Sequence, residues 1–174
     1  MVDLSTAWAN APTTIVLDCS VPSEVWSNIA KTTLPSWVAQ PPWNLGSRNH
    51  GKLKADQWCT ACLVNLVITF CRIWGYSDAS EKDQTLLQNY LSLVIAVRWA
   101  TTRSTLLCHI EIIEQHMAYY IHSTLELFGP RALVFNNHMS FHIPECLHAF
   151  GPAHGWWTSP FEWFNGILQW YNLI

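Results

Sequence analysis

Between Lys52 and the end of the chain, apolar side chains recur mostly three and four residues apart, the period of helices with one face turned inward. Leu53, Trp58, Cys62, Leu66, Ile68, Thr69, Ile73 and Trp74 spread around much of a helix circumference. That spread predicts a buried helix, with Gly75 as its stop. Ser80 followed by Asp83 predicts a second start, and Leu86, Leu87, Tyr90, Leu91, Val94 and Ile95 carry it to Ala100. Ser104 is expected to open a third helix, with Leu107, Ile110, Ile113, Met117, Ile121, Leu125 and Phe128 inside and Gly129-Pro130 ending it. A fourth pattern runs from His138 to Phe150 and stops at Gly151-Pro152, while Pro144 must kink it or start a new segment. Ser159 as N-cap, Pro160 in the first turn and Glu162 at the third position predict a last helix through Phe164, Ile167, Leu168 and Tyr171.

Upstream, the pattern is weaker. Residues 1–33 read as a loose lead-in with one short helix from Ser23 to Lys31, whose Val25, Trp26 and Ile29 share a face. In 34–51, Pro35, Pro41, Pro42 and Gly46 forbid a helix and predict an extended connector, and its aromatic residues predict that it lies against the body. Residues 52–174 form the helical domain, and only Ala132–Phe135 could compete as a strand. The fold expected is all-α: a single helical domain of about five helices with an extended Pro/Trp-rich N-terminal connector.

Composition adds a constraint. Charged residues are 12% of the 174, about half the roughly 25% of an ordinary domain. Apolar residues reach 50%, with 11 tryptophans, which excludes a disordered chain. So few charges poorly cover a free surface, so a partner bound through an apolar surface is expected. The apolar ending at Leu173-Ile174 is expected to reflect truncation or a covered terminus. A net charge of −3 gives no global pull toward nucleic acid, though a local basic patch stays open. Met1 is followed by Val2 and Asp3 with no basic and apolar leader, so a reduced, intracellular protein is expected. The longest mostly apolar run, Ala61 to Ile73, reads as too short to span a bilayer, and no membrane partner is expected.

Four sets of residues could carry chemistry. Cys59-x-x-Cys62 lacks the second ligand pair that structural zinc requires and reads, with Cys71, as core packing. His138 and His142 lie four apart with Glu145 one turn on, which could offer two nitrogens and a carboxylate to a metal. Polar contacts within the bundle are the plainer account. Arg48, His50, Lys52 and Lys54 gather at a helix start, where cations oppose the dipole, so a phosphate contact is one reading. Solvation with a Lys52–Asp56 pair is the other. Glu162 sits between Trp157, Phe161 and Trp163, surroundings that could raise its pKa or favour a metal, yet the capping box accounts for it without chemistry.

Three landmarks then come together. The first is His50-Gly51-Lys52-Leu53-Lys54-Ala55-Asp56-Gln57-Trp58, preceded by Leu34-Pro35-Ser36-Trp37. Asn137-His138-Met139-Ser140-Phe141-His142 with Glu145-Cys146-Leu147 is the second. The third runs from Phe150-Gly151-Pro152-Ala153-His154-Gly155-Trp156-Trp157 to Pro160-Phe161-Glu162 and Asn165-Gly166-Ile167-Leu168-Gln169. Over roughly Leu34 to Asn172, the chain resembles the C-terminal part of fungal proteins derived from CACTA (En/Spm-type) transposons. That is the domain of unknown function after the transposase catalytic core.

The resemblance implies descent from an enzyme that holds two divalent metals, Mg2+ or Mn2+, on acidic residues for DNA strand transfer. It implies that Glu162 supplied the last acid, supported by His138 and His142, and that a functional product is nuclear. Trp163 and Phe164 stand where the family has Arg and Tyr, and Trp170 where Arg is expected. No strand-borne aspartate pair completes the site. The expectation is therefore a fragment or remnant without independent activity or cofactor, packed against a missing transposase core or another protein. Two alternatives stand beside it: a share in a metal-dependent nuclease through Glu162, and a DNA-binding accessory domain.

Overall fold

A computed structural model describes residues 20–47 and 53–156. Among these residues the chain is all-α, without a strand. Helix α1, Ser20–Lys31, starts three residues before the expected Ser23 and buries Val21, Val25, Asn28 and Ile29. The connector that follows is non-helical, as its prolines require, and turns at Pro35–Val38 and Pro42–Leu45. It is pinned at two points. Trp26 donates its indole N–H to the Leu45 carbonyl at 2.8 Å, and the Gln40 carboxamide donates to the Ile29 carbonyl at 3.3 Å. The connector thus lies against the body as expected, with Leu45 buried, while the side chains of Trp37 and Trp43 face solvent.

Helix α2, Ala55–Trp74, is continuous but contains a π-turn at Ala61–Asn65. A π-turn widens the helix by one residue and disturbs the regular carbonyl pairing. Here the Tyr90 hydroxyl donates to the Cys62 carbonyl at 2.6 Å from the neighbouring helix. The 13-residue apolar run lies inside a 20-residue helix, and this one helix is long and apolar enough to cross a membrane by length and composition. Within the fold, its Ala61, Asn65, Thr69, Phe70 and Trp74 are buried.

Helix α3, Glu81–Ala100, opens on Ser80 as expected: the Asp83 backbone N–H donates to the Ser80 hydroxyl at 3.1 Å. Helix α4, Leu107–Phe128, begins later than Ser104. Its N-cap is Leu106, whose backbone N–H points to His109 Nδ1 at 3.4 Å. α3 and α4 form a long antiparallel hairpin, with Leu86 and Leu127 at one end and Trp99 and His109 in ring contact at the other.

Two apolar clusters hold the bundle. Val21, Val25, Ile29, Leu45, Ala61, Phe70, Trp74 and Leu86 join α1, the connector, α2 and the start of α3. Phe70 stacks on Trp74 and meets the edge of Tyr90, with ring centroids 4.6 and 4.8 Å apart, arrangements that add to the area the rings bury. Ala100, Ile110, Ile113, Leu147 and Ala153 form the second cluster. The hairpin seam between the clusters is polar. Asn89, Ser92, Ser123 and Thr124 are all buried there, and Asn89 donates to Tyr120 O, Ser123 Oγ and Thr124 Oγ1.

The chain leaves α4 at Gly129, whose φ of 75° only glycine adopts without strain. A 3₁₀ turn, Pro130–Ala132, and helix α5, Phe135–Ser140, take the two ends of the stretch that could have been a strand, and leave Leu133 and Val134 extended between them. Pro144 begins a new segment: helix α6, Ile143–Phe150, carries it in the first turn and ends at Gly151, φ 73°. Leu147 of α6 enters the second cluster, with Trp156 packed beside it. The expected last helix from Ser159 lies outside the described residues.

Candidate functional site

His138 and His142 come together at the corner where α5 hands over to α6. The backbone between them keeps right-handed helical values, φ −67° and ψ −22° at Phe141 and φ −85° and ψ −7° at His142, although α5 formally ends at Ser140. A four-residue spacing on that path puts both rings on one side. Their centroids are 5.3 Å apart with planes at 86°, and both residues are exposed. Glu145, in the first turn of α6, has a carboxylate oxygen 3.1 Å from His142 Nδ1. A carboxylate only accepts, so Nδ1 is the donor in this contact and Nε2 is the ring nitrogen left for another partner. The contacts expected inside the bundle are therefore made at its surface instead.

The remaining expected ligand does not enter this geometry. Glu162 lies outside the described residues, as do Arg48, His50 and Lys52. Among the described residues, no three His, Cys, Asp or Glu side chains group to hold a metal. Two imidazoles suit zinc, copper or nickel, whereas Mg2+ and Mn2+ select carboxylates and water. The described donor set thus does not fit the ions implied by the resemblance.

Of the basic group, Lys54 is exposed at the start of α2, where its backbone N–H donates to Gln57 Oε1 at 3.0 Å. The Gln57 carboxamide in turn donates to the Gln40 carbonyl at 3.2 Å. This end of the helix is held by the connector, and the Lys54 ammonium is left to solvent.

The cysteines divide differently from the sequence reading. Cys59 and Cys71 are exposed, so neither packs the core; Cys62 is half-buried. Burial pushes the Cys62 thiol above its ordinary value, with nearby Cys59 as a smaller cause. An elevated thiol is a poor nucleophile at neutral pH, which does not favour redox chemistry at the pair.

Two features have no local signature in the sequence. An open groove of about 510 Å³ is lined by Glu24, Ser27, Lys31, Arg72, Ile73 and Tyr76. Arg72 pairs across it with Glu24, 48 residues away, and only the tertiary approach of α1 to α2 creates the pair. The second feature is Asn65, at the end of the π-turn. Its side chain is fully buried and neither carboxamide atom has a partner.

No protein-family model, curated protein or solved structure matches this chain.

Proposed function

We propose that this chain is a transposon-derived helical domain, related to the segment after the catalytic core of CACTA-type DNA transposases. On this reading it has no independent catalytic activity and docks through its apolar surface on an RNase H-like transposase core. The observation that carries the docking is the amount of large apolar side chain left in solvent. Trp37 is 83% exposed, Phe135 73% and Leu107 69%, and Val134 and Phe150 are also well over half exposed. Surfaces of monomers seldom carry so many bulky apolar groups beside so few charges. The origin rests on the three sequence landmarks, of which the second covers α5 and the corner into α6.

The test mixes the purified chain with the separately expressed catalytic core of a fungal CACTA transposase and measures mass by light scattering on a sizing column. A stoichiometric complex, weakened by Phe135→Asp and Phe150→Asp, is the expected result. A chain that stays a monodisperse monomer, binds no hydrophobic dye and ignores the core would overturn the reading.

A further inference from the structure

The α5–α6 corner offers a donor set for a different kind of ion from the one a strand-transfer enzyme uses. Zinc binds imidazole nitrogen at roughly 2.0–2.1 Å in tetrahedral geometry, which places the centroids of two ligating rings about 5 Å apart. The His138 and His142 centroids are 5.3 Å apart. Both rings are exposed, so small rotations about their side-chain bonds can aim the nitrogens at one point without disturbing the core. Glu145 already supplies the partner that ligating histidines commonly have, a carboxylate on the ring nitrogen away from the metal.

We propose that His138 and His142 form a two-imidazole half-site for a late first-row divalent ion of the zinc or nickel type. Glu145 acts as a positioning residue, fixing the tautomer of His142 and presenting Nε2 outward. In the isolated chain, water completes the coordination. Imidazole preference excludes Mg2+ as the resident ion. The proposal stands on the corner geometry and does not depend on a transposon origin.

Zn2+ titrated into the full chain by calorimetry under thiol-protecting conditions tests it. The wild-type protein should bind, and His138→Ala or His142→Ala should each weaken binding at least about tenfold. Glu145→Gln should weaken it by about 10- to 100-fold, the usual effect of removing such a partner. Cys59→Ser should leave affinity unchanged, and Mg2+ should give no binding heat. Nitrogen NMR of His142 should report the Nδ1–H tautomer in the wild type and lose that preference in Glu145→Gln, a signature that a purely structural Glu145 would not move. Undiminished zinc affinity in the His138→Ala/His142→Ala double variant would overturn the site. An unchanged tautomer and affinity in Glu145→Gln would overturn the role of Glu145.

Discussion

Asn89 donates its carboxamide to the Ser123 hydroxyl at 2.8 Å, across the seam of the long α3–α4 hairpin and out of reach of water. The same nitrogen lies 2.9 Å from both Thr124 Oγ1 and the Tyr120 carbonyl, so its two protons are shared among three acceptors. Shifting either helix by a turn would separate these groups and leave them buried without partners. The arrangement therefore fixes the register of the hairpin as well as contributing to its stability.

Asn89→Ala should destabilise the protein by about 1–3 kcal/mol, because it removes the donor and leaves a void among buried acceptors. Ser123 keeps its own bond to the Tyr119 carbonyl, which limits the loss. The combined Asn89→Leu, Ser123→Ala and Thr124→Val variant replaces the polar strip with apolar groups and should recover most of that stability. Urea denaturation of the two variants decides it.

At Asn65 the opposite sign is expected. A fully buried carboxamide without a partner carries a desolvation cost of about 1–3 kcal/mol, and Asn65→Leu removes that cost with a side chain of the same branched shape. The variant should raise the urea midpoint. A lower midpoint would mean that the amide is needed to hold the π-turn.

The hydroxyl of Tyr90 predicts a pH dependence. Burial, and secondarily Cys62, pushes its pKa well above the usual 10.0. The unfolded chain therefore releases this proton at lower pH than the folded one. Stability from this group is fully present below pH 10.0 and falls as pH rises above it. Cys62 adds a loss of the same sign, beginning near its own ordinary value of 9.0. Tyr90→Phe should cost about 1 kcal/mol near neutrality through the lost bond to the Cys62 carbonyl, and should flatten the alkaline limb. Urea midpoints measured from pH 8 to pH 11 would show both effects.

Thiol labelling separates the cysteines by exposure. Cys59, Cys71 and Cys108 are exposed and should react with a maleimide first, whereas Cys62, half-buried with a raised pKa, should lag. Peptide mass spectrometry over a time course reads the order. Early labelling of Cys62 would show that the α2–α3 contact over its carbonyl opens easily.

The helices were legible because apolar period and chain-stopping residues are local properties. Ser80 caps α3, Gly129 and Gly151 end α4 and α6 in left-handed backbone, and Pro144 begins a helix. The starts of α2, α4 and α5 were not, and for one reason. In each, the side chain three residues into the helix accepts from the backbone N–H of the residue before the helix. The pairs are Gln57 with Lys54, His109 with Leu106, and Asn137 with Val134. A search for Ser, Thr, Asp or Asn at the cap passes over all three. The pairing of His138 with His142 followed from a helical spacing of four, but their exposure did not, since it depends on how α5 sits on the body. Asn65 was hidden because a π-turn shifts every later residue around the helix by about 100°, carrying a polar side chain to a buried face.

The polar seam has a consequence for how the molecule comes apart. One apolar cluster gathers α1, the connector and α2 around Leu86; the other gathers α6 around Ile110 and Ile113. Among the described residues only the two hairpin helices run from one to the other, and between the clusters their seam carries the buried hydrogen bonds of Asn89 beside the buried Ala96 and Met117. Such a layout divides the domain into two cooperative blocks strung on a common axle. Amide exchange would then reach the α5–α6 block by sub-global opening while the α1–α2 block stayed closed, so a partner could remodel the histidine corner without melting the rest.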